Sequence, residues 1–327
     1  MGWAGRKVLV TGGEGFIGSH LVERLLEEGA TVRALVHYEP RGSRGWLEGR
    51  QDDVEILPGD VRDAERVMTA AAGTEVVFHL AALIGIPYSY QAAESYVQVN
   101  VVGTHHVLQA ARRAGVQRVV HTSTSEVYGT ARTVPITEEH PLQPQSPYAA
   151  TKAGADMLAL SFHRSFALPV AVVRPFNTYG PRQSTRAVIP TLLAQIYDGE
   201  VEAIRLGATS PTRDFTFVTD TAAGFLAVAA SDRTVGQVTN LGTGREISIG
   251  DLVETLFGVT GIRKDVVTEE ARLRPEGSEV HRLLADATRA RAWAGWEAVV
   301  PLEDGLKRTA EWVRDHLGSL EARSYHV

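Results

Sequence analysis

A chain of 327 residues, at roughly 100–200 residues per domain, allows two lobes or one enlarged α/β domain. Its 44% apolar and 22% charged residues exclude a disordered, coiled-coil or fibrous protein, and the absence of cysteine removes disulfides, thiolate metal sites and a cysteine nucleophile. A net charge of −6, no apolar run near the ~20 residues of a membrane span and no secretory h-region at the N-terminus lead to the expectation of a cytoplasmic protein without nucleic-acid or membrane partners.

From residue 7 to about 174, short β-branched runs alternate with helix-length amphipathic segments. Strands are expected at 7–11, 31–36, 54–57, 76–80, 118–122 and 170–174, with helices at 16–28, 64–71, 93–114 and 148–166 between them. Most of these strands are near-continuous apolar runs, as strands covered on both faces require. The expected fold is therefore α/β, a Rossmann-type doubly wound parallel sheet. Beyond Asn177 the elements shorten. Helices are expected at 188–198, 219–230, 249–260 and 302–317, and strands near 203–206, 213–218 and 237–241.

Directly between the first strand and first helix, Thr11-Gly-Gly-Glu-Gly-Phe-Ile-Gly18 places glycines at 12, 15 and 18. Gly12 permits the tight turn, Gly15 lets backbone approach a pyrophosphate, and Gly18 lets the helix pack on the sheet. Free N–H groups at the helix start, through Phe16 and Ile17, would hold the phosphate charge. An acid about 20 residues on would bind the ribose 2′-OH of NAD. Here the second strand ends Ala34-Leu-Val-His-Tyr-Glu39, with Val36 near the expected acid and Arg41, Ser43 and Arg44 following. That composition leans towards a 2′-phosphate and NADP, with Glu39 serving NAD if the loop folds back. Asp60 follows the third strand and suits an adenine contact or, equally, a turn or N-cap.

At the fifth strand's end stands His121-Thr-Ser-Thr-Ser-Glu-Val-Tyr-Gly129, and Tyr148-Ala-Ala-Thr-Lys152 opens the next long helix. The i, i+4 spacing puts Tyr148 and Lys152 on one face. A cation beside a phenol favours the phenolate, which makes Tyr148 a candidate general base for an alcohol.

These segments, with His79-Leu-Ala-Ala82, Asn100-Val-Val-Gly103, Arg174-Pro-Phe-Asn-Thr-Tyr-Gly-Pro-Arg182, Arg213-Asp-Phe215 and Arg274-Pro275, resemble the extended short-chain dehydrogenase/reductases that act on nucleotide sugars. The resemblance covers essentially the whole chain. It implies a hydride-transfer triad of Thr124, Tyr148 and Lys152, cofactor contacts from Val61, Leu80, Ala81 and Ala82, and a nicotinamide cofactor tightly bound and recycled. Residues 1–176 are then expected to form the dinucleotide-binding domain with the catalytic residues, and 177–327 mainly a smaller sugar-nucleotide lobe. Thr124-Ser125-Glu126 resembles the GDP-mannose 4,6-dehydratases and UDP-glucuronate decarboxylases. The segments 84–90 and 180–190 look most like legionaminic acid pathway dehydratases acting on a nucleotide-linked N-acetylglucosamine. A 4,6-dehydratase is the favoured reading, with Glu126 as base at C5 and Ser125 a weak acid beside it. A 4-epimerase or decarboxylase is the enzymatic alternative, and a cofactor-binding sensor the non-enzymatic one.

For the nucleotide sugar, the resemblance points to Arg213 and Arg274 at the diphosphate or ribose and to Asn177 at the diphosphate. Arg182, Arg186 and Val188 lie in the same lobe's motifs; Ser89 is expected to face the sugar, and Tyr90 and Tyr179 either the sugar or the core. The histidines at 79, 105, 106 and 121 lack ligand-like spacing, so no metal is expected. A homodimer through helices 93–114 and 148–166 is implied by the resemblance alone.

Overall fold

The computed structural model describes residues 2–40 and 42–319. Strands β1 (Lys7–Thr11), β2 (Thr31–His37), β3 (Val54–Gly59), β4 (Val76–His79), β5 (Arg118–Thr122) and β6 (Val170–Pro175) lie in the order β3-β2-β1-β4-β5-β6, all parallel. This is the Rossmann arrangement, in which the strand order reverses between β1 and β4. A seventh strand, Val238–Leu241, extends the sheet in parallel beside β6, with Val238 opposite Val172.

Both faces of the sheet are covered, so successive residues of one strand enter different cores. Val8 and Val10 pack with Leu21, Leu25 and Phe225, below helices α1 (Phe16–Glu27) and Val218–Ala230. Leu9, between them, packs with Val67, Val107 and Leu108 below helices Ala64–Ala71 and Gly103–Ala114. This two-sided burial is why the strands read as unbroken apolar runs.

Helix ends follow local chemistry. Asp63 accepts the Arg66 N–H at 3.0 Å to open Ala64–Ala71, and Gly115, with φ of 67°, closes Gly103–Ala114 in the left-handed region. A third core, including Leu192, Leu193, Leu252, Leu256, Leu306 and Val313, joins helices Val188–Tyr197, Ile249–Thr260 and Leu302–Asp315.

Three expectations are altered. The helix expected at 93–114 is interrupted by a π turn, Val97–Val102, which carries the buried Asn100. Asn100 accepts from Leu83 N at 2.9 Å and donates to Leu83 O and Thr151 Oγ1, so the irregular turn is tied to the loop after β4 and to the helix Pro147–Phe166. The strand expected at 213–218 is two short pieces, Thr212–Arg213 and Thr216–Phe217. Between them the Asp214 carboxylate accepts the backbone N–H groups of Thr243, Gly244 and Ala285, which fixes an irregular chain path. Finally, the helix Val218–Ala230, the strand Val238–Leu241 and the residues Ala287, Ala290 and Trp296 return to the first sheet and its core, so the chain after 177 is not confined to a second lobe.

Candidate active site

The glycine fingerprint lies at the point where the strand order reverses. Gly12 has φ of 70°, and a Cβ there would meet the Ala81 backbone at 2.9 Å, so the turn after β1 is wedged against the chain leaving β4. At Gly18 a Cβ would collide with the Gly12 carbonyl oxygen. Gly15 is the N-cap of α1, and the first N–H groups of that helix, from Phe16 onward, face the open end of the sheet. Ala81 N donates to Thr11 Oγ1 at 3.2 Å, and Leu80, Ala81 and Ala82 remain half-buried along the rim. Those features fit a dinucleotide: a tight backbone turn that no side chain at 12 or 18 could enter, followed by the free N–H groups of a helix start.

At the end of β3, Asp60 takes the turn role expected as one of its two alternatives, accepting the Arg62 N–H at 2.8 Å. Asp60 holds the Arg62 guanidinium with both oxygens, at 2.6–3.1 Å, and this hydrogen bonding keeps its carboxyl below the ordinary range. Val61 is buried under Gly103. Ser43 is exposed and accepts the Gly45 N–H at 3.3 Å, while its own N–H reaches Glu39. Arg41 lies outside the described residues. A glutamate in the glycine loop, Glu14, reaches across to the end of β2 and accepts the His37 N–H at 2.6 Å.

Tyr148 and Lys152 stand one turn apart at the start of Pro147–Phe166, which is opened by Ser146 accepting the Ala149 N–H at 3.1 Å. Facing them, Thr124 caps the short turn Ser125–Tyr128 by accepting the Glu126 N–H at 3.2 Å. Thr124, Ser125, Tyr148 and Lys152 are buried and Glu126 is half-buried. Burial holds the Tyr148 phenol well above its ordinary value; a hydrogen bond with Thr124 lowers it, and the nearby Glu126, Tyr96 and Asp156 raise it. Burial brings the Lys152 ammonium down to about 8 against the pull of Asp156. Tyr96 closes over Tyr148 edge-on, with ring centroids 6.2 Å apart.

Under this pair lies a buried polar network that the sequence reading missed. Asp156, one further turn along the helix, accepts Ser123 Oγ at 2.8 Å and the Arg174 Nε and Nη2 at 3.0 and 2.9 Å. His121 Nε2 stands 3.3 Å from its other oxygen, and the Arg174 guanidinium lies over the Tyr128 ring. His79 spans Thr11 Oγ1 and Thr104 Oγ1, at 2.8 and 2.9 Å. Burial keeps both imidazoles below their ordinary pKa, and Lys152 adds to the effect. The available signal was the 148, 152, 156 spacing, an acid continuing the catalytic face of the helix.

Residues expected at the substrate divide into two groups. Asn177 follows β6, and its buried Nδ2 makes no hydrogen bond; the buried Arg274 Nη1 also makes none, and it lies 3.8 Å from the Glu279 carboxylate. Arg213 is buried, donates to Thr212 O at 2.9 Å and lies 3.4 Å from Glu279. Burial lowers its pKa, while the proximity of Glu126 raises it and that of Arg274 lowers it, so these three side chains share one neighbourhood. Two guanidiniums and a free amide donor suit a diphosphate. The second group is engaged elsewhere. Arg182 pairs with Glu23 at 2.8 Å and with Ser19, against α1. Ser89 is fully buried with its hydroxyl donated to Ile86 O, and Tyr179 packs on Phe215 and Phe217. Tyr90 meets Ser278 Oγ at 2.6 Å. Arg186 is exposed within electrostatic reach of Tyr96, and Val188 begins its helix half-buried. Among the described residues no group of three or more His, Asp or Glu is placed to hold a metal, and no helix is long and apolar enough to cross a membrane.

A doubly wound sheet with a glycine turn at its switch point, Thr124 just past β5, and Tyr148 and Lys152 on the helix Pro147–Phe166, defines an extended short-chain dehydrogenase/reductase of the nucleotide-sugar 4,6-dehydratase type. Residues 9–309 match the GDP-mannose 4,6 dehydratase family, and the chain belongs to it. The chain is 35% identical to a dTDP-glucose 4,6-dehydratase of Streptomyces antibioticus, over 94% of this chain and 92% of that protein. It is 36% identical to a UDP-glucose 4-epimerase of Mycolicibacterium smegmatis, over 94% and 99%. Among solved structures, the dTDP-glucose 4,6-dehydratase DesIV from Streptomyces venezuelae with NAD and TYD bound superposes with a TM-score of 0.88 at 33% identity, covering 96% of this chain and 99% of that one.

Proposed function

We propose that this enzyme converts a nucleoside-diphosphate hexose, with N-acetylglucosamine as the sugar, into its 4-keto-6-deoxy product. The observation that carries the reading is that Glu126, half-buried in the turn after β5, lies within electrostatic reach of both Tyr148 and Arg213. Gly12, Gly15, Phe16, Ile17 and Gly18 would hold the cofactor pyrophosphate, with Val61 and Leu80–Ala82 lining its rim. A nicotinamide bound there would supply a hydride acceptor for C4 and a hydride donor for C6. Thr124 orients the 4-hydroxyl and Tyr148 takes its proton; because burial holds the phenol above its ordinary value, it becomes a base only with the positive charge of Lys152 and of the oxidised cofactor beside it. A 4-ketone acidifies the C5 hydrogen, which Glu126 removes as hydroxide leaves C6; the same carboxyl, now protonated, would hand its proton to that leaving group to form water, and hydride return at C6 would be completed by a solvent proton at C5 while Tyr148 releases the proton it took from the 4-hydroxyl to solvent. Ser125, buried in the same turn, would assist as a hydrogen-bond donor. Asn177, Arg213 and Arg274 would bind the diphosphate, with Arg186 and Val188 at its edge.

The similarity to a 4-epimerase makes epimerisation the competing reading, since C4 oxidation is common to both. Incubation with UDP- or GDP-linked N-acetylglucosamine, followed by product mass spectrometry, separates them. Dehydration removes one water and epimerisation leaves the mass unchanged, whereas loss of carbon dioxide from a UDP-glucuronate control would indicate decarboxylation. Glu126→Gln is expected to lower dehydration about 10²–10⁴-fold while C4 oxidation still reduces the cofactor, read from nicotinamide absorbance. Dehydration by this variant at the wild-type rate refutes the assignment. We further propose a homodimer through the helical run 93–114 and Pro147–Phe166, on which Val97, Met157 and Phe166 are exposed.

A further inference from the structure

We infer that Glu14, within the glycine loop, takes the place of the missing acid at the end of β2 and makes the site selective for NAD over NADP. The inference rests on dinucleotide binding at the fingerprint and adds to it the residue that reads the adenosine ribose.

In a dinucleotide fold the ribose 2′-OH is met by an acid at the C-terminal end of the second strand. Here that position is His37-Tyr38, which has no carboxylate. The carboxylate comes instead from the neighbouring turn. Gly12 N donates to Leu35 O at 2.9 Å, so the fingerprint loop is hydrogen-bonded to β2 itself. Two residues further on, Glu14 Oε1 accepts the His37 N–H at 2.6 Å, which puts the carboxylate at the strand end. The loop over it is closely applied: Trp46 N donates to Glu14 O at 3.1 Å, and a Cβ on Gly45 would lie 2.7 Å from that oxygen.

One oxygen of this carboxylate is held and the other is not. Glu14 Oε2 is buried and has no hydrogen-bond partner. Burial raises the Glu14 pKa while the His37 N–H lowers it, as expected of a carboxylate with incomplete solvation. Such an oxygen gains from a hydroxyl donor and is repelled by a phosphate. The other acids at this end are already engaged. Asp60 is occupied by Arg62 through both oxygens, and Glu39 accepts the Ser43 N–H at 3.2 Å. Ser43 and Arg44 remain at the same rim, and they are the groups that would favour a 2′-phosphate if the Glu14 carboxylate did not dominate.

The cofactor carried by the purified full-length protein, released by denaturation and separated by chromatography, is expected to be NAD. After removal of bound cofactor, calorimetric titration should give a dissociation constant for NAD about 10- to 100-fold below that for NADP, the range of a hydrogen bond to a charged group. Glu14→Gln keeps the shape and the His37 contact but removes the charge. It should weaken NAD and strengthen NADP until the two lie within a few-fold. NADP bound as tightly as NAD by the wild type, or a Glu14→Gln variant with unchanged preference, overturns the inference while leaving the dinucleotide site intact. Binding of neither cofactor overturns that site and the inference together. If Glu14→Gln does not fold, the identity of the cofactor released from the wild type still decides the matter.

Discussion

Asp156→Asn is the substitution whose cost follows most directly from the geometry. Asp156 is fully buried and Arg174 nearly so, and the two share a pair of hydrogen bonds at 2.9 and 3.0 Å. Asparagine preserves the volume and can still accept from Ser123. It removes the only carboxylate opposite Arg174 among the ion pairs of the described residues, leaving a guanidinium charge without compensation in the interior. Removing one partner of such a buried pair costs about 3–5 kcal/mol. Arg174→Met should cost a similar amount, and the double variant should fall short of the sum by about 1–3 kcal/mol, because neither charge is then left alone. Urea unfolding at neutral pH, followed by far-ultraviolet circular dichroism, measures all four corners of the cycle. The sign with pH is also determined. The Asp156 carboxyl is held below its ordinary value by the groups around it, despite burial, so its contribution is present above the unfolded value of about 4 and is lost as pH falls through the folded one. The gap between wild type and Asp156→Asn should therefore narrow only in acid. An Asp156→Asn protein within about 1 kcal/mol of wild type, or single costs that simply add, would refute the reasoning. Since Asp156 also holds Ser123, the residue before Thr124, the variant should lose turnover as well.

Lys152 produces the opposite stability effect. A depression from 10.5 to about 8 by burial corresponds to about 3 kcal/mol, so Lys152→Met should be inactive yet more stable than wild type at pH 7 by up to that amount. Between pH 8 and 10.5 the unfolded chain binds the extra proton, and wild-type stability should rise relative to the variant until the gap closes. Unfolding free energies at pH 7 and pH 10 test this; a less stable Lys152→Met at pH 7 would count against it. Gly18→Ala forces a methyl into the Gly12 carbonyl and should abolish cofactor retention, measured by the dinucleotide released on denaturation. Full retention would mean that the loop adapts at little cost.

Local pattern was sufficient wherever one segment contained the whole reason for its behaviour. Unbroken apolar runs at β1, β4, β5 and β6 required burial on both faces, glycines at 12, 15 and 18 required a close backbone approach, and the four-residue spacing of Tyr148 and Lys152 required a shared helical face. Other outcomes depended on groups far apart in the chain. The strand Val238–Leu241 is weakly marked in sequence and finds its place only because the edge of β6 is open to it. The π turn at Val97–Val102 follows from the hydrogen bonds Asn100 makes to Leu83 and Thr151. Arg182 carries the same charge as Arg213, yet Glu23 holds one against α1 while the other is packed beside Glu126 and Glu279. Strand-local reasoning expects a carboxylate along β2 itself, whereas folding brings one to the end of β2 from the preceding loop, where Glu14 accepts the His37 N–H. Sequence determined the fold class and the shared helical face of Tyr148 and Lys152, because backbone periodicity and close packing are written into short segments. Tertiary structure alone decided which charges are paired and which remain available to a ligand, because a side chain's partners are set by which segments are brought together.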